Sequence, residues 1–339
     1  MLAPTRTAPR RTAPKRMALG GLLVAGALCL SACGQGEQET GSEPGIAKQT
    51  TSRSMESATD RADTADSPRD SAAQDEAAQD EAAQDEAAQA DAQSDAANSA
   101  GADGAAVAGD LQRELDRIAA NYGNVGIAVS DGTTTIAAGR TAPETAWSTS
   151  KVPVLIAAHR AGLIGPDVVT SAITYSNNAA AQSAWDALGG GAQAAQAAQQ
   201  VLAEAGDTTT QVQSQVTRPE FSAFGQTQWS VGDQAAFMAK LRCVNGAEPI
   251  LTAMSTPDPA QSYGLRNLEG AALKGGWGPD IAGGYDVRQM GLATIGGREV
   301  AVALIASAPD GQYASAQPLL SGMALDLSKA EIAWPTPAC

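Results

Sequence analysis

The residues best suited to chemistry begin with Ser148-Thr149-Ser150-Lys151, followed by Val152, Val154, Leu155 and Ala158 at helical spacing. Ser148 and Lys151 are three positions apart, so they share a face at the start of that helix. A hydroxyl at a helix N-terminus gains as it becomes an alkoxide, and a desolvated lysine beside it can take its proton near neutral pH. The chemistry would be nucleophilic attack by an activated serine. Pro153 fits only if the helix has just begun, because proline further inside costs about 3 kcal/mol. A serine N-cap next to a solvated lysine gives the same pattern, so the motif alone does not decide. His159 is the only histidine. It leaves no multi-histidine metal site and little room for a Ser-His-Asp triad, and a packing or surface position suits it.

Two further constellations lie downstream. Tyr175-Ser176-Asn177-Asn178 stands just before an alanine-rich helix, and Lys274-Gly275-Gly276-Trp277-Gly278 ends a strand-like run. The elements that must position them can be read in outline. A helix starts near Asp110, with Leu111, Leu115 and Ile118 on one face, and stops before Gly123. Strands over Val125 to Ser130 and Thr133 to Ala138 flank Asp131-Gly132, a dipeptide suited to a tight hairpin. From Lys151 to about Leu241 the chain reads as several helices. Strands are expected over Ala271 to Lys274, Val287 to Ile295 and Glu299 to Ala306, the last two joined by Gly296-Gly297, and a helix over Ala314 to Leu327 closes the domain. The expected class is α+β: an antiparallel sheet flanked by terminal helices, with a helical region inserted into it.

Ser-x-x-Lys, Ser-x-Asn and then a Lys-x-Gly strand, in that order, resemble the signature of the serine β-lactamase and penicillin-binding-protein superfamily. The segment from Ala172 to Ala180 looks like the class A region around the second motif, and Leu188-Gly189-Gly190 and Ala205-Gly206-Asp207 continue the likeness. The resemblance spans about Asp110 to Leu327 and implies the β-lactamase/transpeptidase-like fold. It also implies roles. Ser148 would be the acylated nucleophile and Lys151 its proton acceptor. Ser176 would relay a proton to the leaving group, and Asn178 would hold the substrate amide. Lys274 would supply positive potential, Gly276 would line the substrate strand, and the backbone N–H groups of Ser148 and Trp277 would form the oxyanion hole. No metal or organic cofactor is implied.

Departures from the family pattern bear on substrate and rate. Gly275 stands where the family has a hydroxyl residue that helps to bind a substrate carboxylate. Arg288, on the next strand, is the candidate compensating cation. Ser148 and Ser176 are only 28 positions apart, which implies a reduced helical region and an open site. Glu220, in Arg218-Pro219-Glu220-Phe221, is the nearest match to the glutamate that activates the deacylating water. Phe224 stands where an asparagine would accompany it.

The N-terminus reads as an address. Arg6, Arg10, Arg11, Lys15 and Arg16 precede an apolar run from Met17 to Leu30, and Leu30-Ser31-Ala32-Cys33-Gly34 looks like a lipobox. Residues 1–32 are then a lipoprotein signal peptide and Cys33 the lipidated first residue of an exported, actinobacterial-type lipoprotein. An ordinary cleaved signal or a short retained anchor are the alternatives. Residues 33–108, rich in Ala, Gln, Asp and Glu with a repeated Ala-Ala-Gln-Asp-Glu, form a solvated tether, and 109–339 form the globular domain. The expected location is extracytoplasmic, held to the cell membrane by the lipid.

The net charge of −15 argues against nucleic acid as a partner. Export would let Cys243 and Cys339 pair. The expected partner is a small-molecule or peptide acyl donor, β-lactam or peptidoglycan-like, met by a monomer. A D,D-peptidase-like enzyme and a non-catalytic cell-wall-binding lipoprotein are the other readings of the same features.

Overall fold

The computed structural model describes residues 105–281 and 283–339. The signal, Cys33 and the tether up to residue 104 lie outside the described residues. Helix α1 covers 105–122, starting four residues inside the segment read as tether. Two strands follow, β1 (Val125–Ser130) and β2 (Thr135–Gly139), and then the two-residue β3 (Glu144–Thr145). The helical region holds α2 (Lys151–Arg160), α3 (Pro166–Ile173), α4 (Asn178–Ala187) and α5 (Gly191–Glu204). After a long connection come β4 (Gln228–Trp229), α6 (Val231–Lys240) and α7 (Glu248–Met254). The chain closes with β5 (Glu269–Pro279), β6 (Tyr285–Ile295), β7 (Arg298–Ser307) and α8 (Tyr313–Lys329).

The five-stranded sheet is antiparallel, in the order β2-β1-β7-β6-β5, and β3 pairs with β4 in a separate small ladder. Strand β7 shows why the sheet is covered on both faces. Val300, Val302, Leu304 and Ala306 pack with Leu111, Leu115 and Ile118 of α1 and Leu320, Met323 and Leu327 of α8. Ala301, Ala303 and Ile305 face the other core, shared with α2 and α6. Period-two alternation of apolar residues on both faces makes this a three-layer arrangement. Each fully buried aliphatic side chain stabilises it by about 1.5–3 kcal/mol.

Helix α2 runs through the middle of the helical region, and its residues from Lys151 to Ala158 are all buried. A helix apolar on all sides is a core helix. The alanines of α4 and α5 allow their backbones to come close to it. The consequence for chemistry is that Lys151 enters the core at the first turn of a buried helix.

Several sequence expectations need correction. The β1–β2 connection is not a two-residue turn: Ser130 pairs with Thr135, and Asp131 Oδ1 accepts from the amides of Thr133 and Thr134, stabilising a longer loop. Strand β5 continues well past Lys274, so the third motif lies inside a strand rather than at its end. The β6–β7 turn does use Gly296 and Gly297, at φ of 58° and 75°. Cys243 and Cys339 form a disulfide.

Candidate active site

Ser148 sits in a 3-10 turn, Trp147–Ser150, that feeds directly into α2. Side chains three apart eclipse in such a turn, which keeps Ser148 and Lys151 on one side. Trp147 has φ of 51°, a left-handed conformation that is a genuine outlier for a bulky residue. Hydrogen bonds over-determine the turn. Thr149 Oγ1 donates to Ala146 O (2.5 Å), Ser150 Oγ donates to Trp147 O (2.7 Å), and Gln234 Nε2 of α6 donates to Thr149 Oγ1 (2.7 Å).

The second motif meets the first through Lys151. Its Nζ donates to Ser176 O (2.5 Å) and Asn178 Oδ1 (2.7 Å), and lies 3.2 Å from Ser176 Oγ. Asn177 caps α4 by accepting from the amide of Ala180 (2.9 Å), which leaves the Asn178 side chain for the lysine. Ser176 has φ of 53°. Among the described residues, Trp147 and Ser176 are the non-glycine positions with positive φ, and both adjoin the same pair of side chains. Strain of about 1–3 kcal/mol at each site persists only where surrounding structure enforces it.

The third motif completes the cluster. Lys274 Nζ reaches Ser176 Oγ (2.8 Å) and Gly275 O (2.8 Å). Strand β5 is the edge of the sheet and runs against the Ser148 turn. A Cβ on Gly276 would stand 2.9 Å from Ala146 O, 3.0 Å from Ser148 N and 3.1 Å from Thr149 N, so only glycine permits this approach.

Lys151 is 1% exposed and Lys274 fully buried. Burial brings the Lys151 ammonium down to about 7, and it holds Lys274 well below the usual lysine value, with the nearby Lys151 adding repulsion. Near pH 7 part of the Lys151 amine is therefore neutral, with Ser176 Oγ 3.2 Å away.

Ser148, Lys151 and Asn178 line a cavity of about 460 Å³ whose walls also include Glu220 and Trp277. Glu220 reaches the cavity from an exposed position, on a loop that Gln226 staples. Gln226 Oε1 accepts from Thr217 and Arg218 amides, and its Nε2 donates to the carbonyls of Arg218, Phe221 and Ser222. Arg218 donates to Pro279 O (2.7 Å) and lies over the rings of Trp147 and Phe221. None of Lys151's acceptors is Glu220.

Arg288 is not at the cavity. Its side chain pairs across from Gly276 but points beneath the Ser148 turn, fully buried. Its guanidinium donates to Glu144 O, Thr145 O, Trp229 O and Gln234 Oε1, which uses every N–H it has. The expectation that Arg288 meets a substrate carboxylate therefore fails. It props β3, β4 and, through Gln234, Thr149. His159 lies on α2 away from the cluster, lining a different cavity.

Sequence reading missed Gln226, Gln234 and Arg218. Gln226 lies in a long connection with no periodic signal, and Gln234 is a polar residue on the buried side of α6, where the apolar pattern gives no sign of it. The Arg218-Pro219 pair beside Phe221 was at least visible as a loop motif.

No protein-family model and no curated protein matches the chain. Solved structures do. The extended-spectrum β-lactamase TLA-3 matches with a TM-score of 0.54 at 12% identity, covering 64% of this chain and 97% of that one. A β-lactamase from Chitinophaga pinensis DSM 2588 matches with a TM-score of 0.53 at 13% identity, again covering 64% and 97%. The likeness takes in nearly the whole of those chains, at an identity that speaks for architecture alone. On that architecture and the antiparallel sheet between helical layers, the chain has a β-lactamase-like fold.

Proposed function

We propose that the chain is an active-site serine hydrolase, acylated at Ser148 by an amide or ester donor and held outside the cell membrane by a lipid on Cys33. One observation carries the catalytic part: two buried lysines converge on the Ser176 hydroxyl beside the Ser148 turn, Lys274 at 2.8 Å and Lys151 at 3.2 Å. Neither lysine has a carboxylate among its acceptors, so burying both costs a scaffold without a compensating ion pair. A proton relay uses them.

In this reading neutral Lys151 takes the Ser148 proton as Ser148 Oγ bonds to the donor's carbonyl carbon. The Ser148 and Trp277 amides stabilise the oxyanion. The carbonyl's bond to the leaving group then breaks, and the leaving atom takes a proton from Ser176, which Lys151 replaces. Asn178 and the β5 backbone align the donor. Water hydrolyses the acyl-enzyme, with Glu220 as the base available in the cavity.

The exposed position of Glu220 and Phe224 in place of an asparagine favour a second reading, a D,D-peptidase-like enzyme whose acyl group persists. The test follows thiol release from a chromogenic thioester together with intact mass of the full chain. Release that Ser148→Ala abolishes supports the proposal, and an accumulating adduct selects the slow-deacylating form. Equal release by both proteins contradicts it.

A further inference from the structure

We propose that the site takes donors whose leaving group ends in a neutral polar group, such as a carboxamide, and that Gln261 sets this preference. The inference rests on the reading of Ser148 as nucleophile. Ser176 and Lys274 mark the side on which the leaving group departs, and residue 275 is the next along the strand. Gly275 has no side chain, and that space is filled by Gln261. Its Oε1 lies 3.0 Å from where a Cβ on residue 275 would stand, with Trp277 and the Tyr263 hydroxyl next nearest at 3.7 and 3.8 Å. Gln261 is 3% exposed and anchored by Nε2 donating to Thr174 O (3.2 Å), on the segment that leads to Ser176. That bond turns Oε1 toward β5.

An amide oxygen presented there accepts a hydrogen bond. It suits an N–H donor and repels a carboxylate. Arg218, a cation beside β5, is held at the far end of the strand by Pro279 O and lies over Trp147 and Phe221. The charged side chains lining the cavity are Lys151 and Glu220, and burial lowers the first to about 7. Lys274 is committed to Ser176 Oγ and Gly275 O, and Arg288 has no free N–H. A carboxylate would lose its hydration beside an acceptor oxygen.

The reaction is acyl transfer: the Ser148 Oγ–C bond forms, the C–S bond of a thioester breaks, the serine proton passes to Lys151, and the thiol leaves protonated through Ser176. The experiment uses two thioesters with the same acyl group, whose leaving thiols differ only in ending in a carboxylate or its carboxamide. Acylation rates of the full chain are read by thiol release and by intact mass. The carboxamide should acylate Ser148 at least about tenfold faster, the difference left by an uncompensated polar group. Gln261→Ala, checked by thermal melting and by labelling with a serine-directed phosphonate, should reduce that ratio severalfold. Equal or faster acylation by the carboxylate overturns the preference while leaving Ser148 as nucleophile. An unchanged ratio in Gln261→Ala overturns the role of Gln261. No reaction at Ser148 with either thioester or with the phosphonate overturns the underlying reading itself.

Discussion

At the Ser176 hydroxyl two lysine side chains meet without a carboxylate among their hydrogen-bond acceptors, and the sign of the resulting pH dependence follows from burial. Lys151 can accept the serine proton only when neutral. Because desolvation lowers it to about 7, the acylation rate should rise through pH 7 and level off above it. Below that pH the amine is protonated and the rate falls. Lys151→Arg keeps a cation that never gives up its proton in this range, and should cut acylation by about 10²–10⁴ and remove the inflection. A pH–rate profile of thioester acylation checks both. The same shift bears on stability: between about 7 and the ordinary value of 10.5 the unfolded chain binds more protons at this site, so the fold should lose stability as pH falls through that window. Gly276→Ala tests the contact between β5 and the turn. Its methyl would meet backbone atoms of residues 146, 148 and 149, so acylation should fall sharply while overall stability changes by only about 1–3 kcal/mol.

The elements bearing these residues were legible to different degrees. Strand β1 and the helix that starts at Lys151 follow from unambiguous apolar patterns, and the three motifs sit at the junctions the sequence suggests. Arg288 was misplaced because sequence fixes which strand carries it but not which face it presents. It pairs with Gly276, against which the backbone of residues 146, 148 and 149 packs, and its guanidinium reaches instead to the carbonyls of Glu144, Thr145 and Trp229. The strands β3 and β4 were invisible, being two residues each and held by that arginine instead of by periodicity. Arg288→Met would leave three backbone carbonyls and Gln234 without their donor. Given about 1–3 kcal/mol for each unsatisfied buried group, denaturant melts should show a loss of at least about 3 kcal/mol. The Ser148 turn should loosen with it. Gln226→Ala should unfasten the loop carrying Glu220 and Phe221, lowering stability by a similar mechanism. Deacylation should slow more than acylation, which the lifetime of the adduct measures.

Across the whole molecule, sheet and helical region meet at the site, so the three motifs come from three places in the chain: residue 148, residue 176 and residue 274. Order and spacing of motifs were therefore readable, whereas the packing that desolvates both lysines was not. The disulfide closes a loop with a sequence separation of 96 and ties Cys339 to the turn that follows α6, next to Lys240, which donates to Ala338 O. Cys243→Ser should cost about 2–5 kcal/mol, read as a lowered denaturation midpoint under oxidising conditions and as no difference after reduction of both proteins. The proposed anchor is tested separately: Cys33→Ala should release the protein from the membrane fraction.

The most direct test of the account is the identity of the nucleophile. The full chain, treated with a serine-directed phosphonate and digested, should carry one label, on the peptide containing Ser148, with labelling that follows the pH profile of Lys151 and is absent in Ser148→Ala. Labelling at another serine, or undiminished labelling in Ser148→Ala, would contradict it.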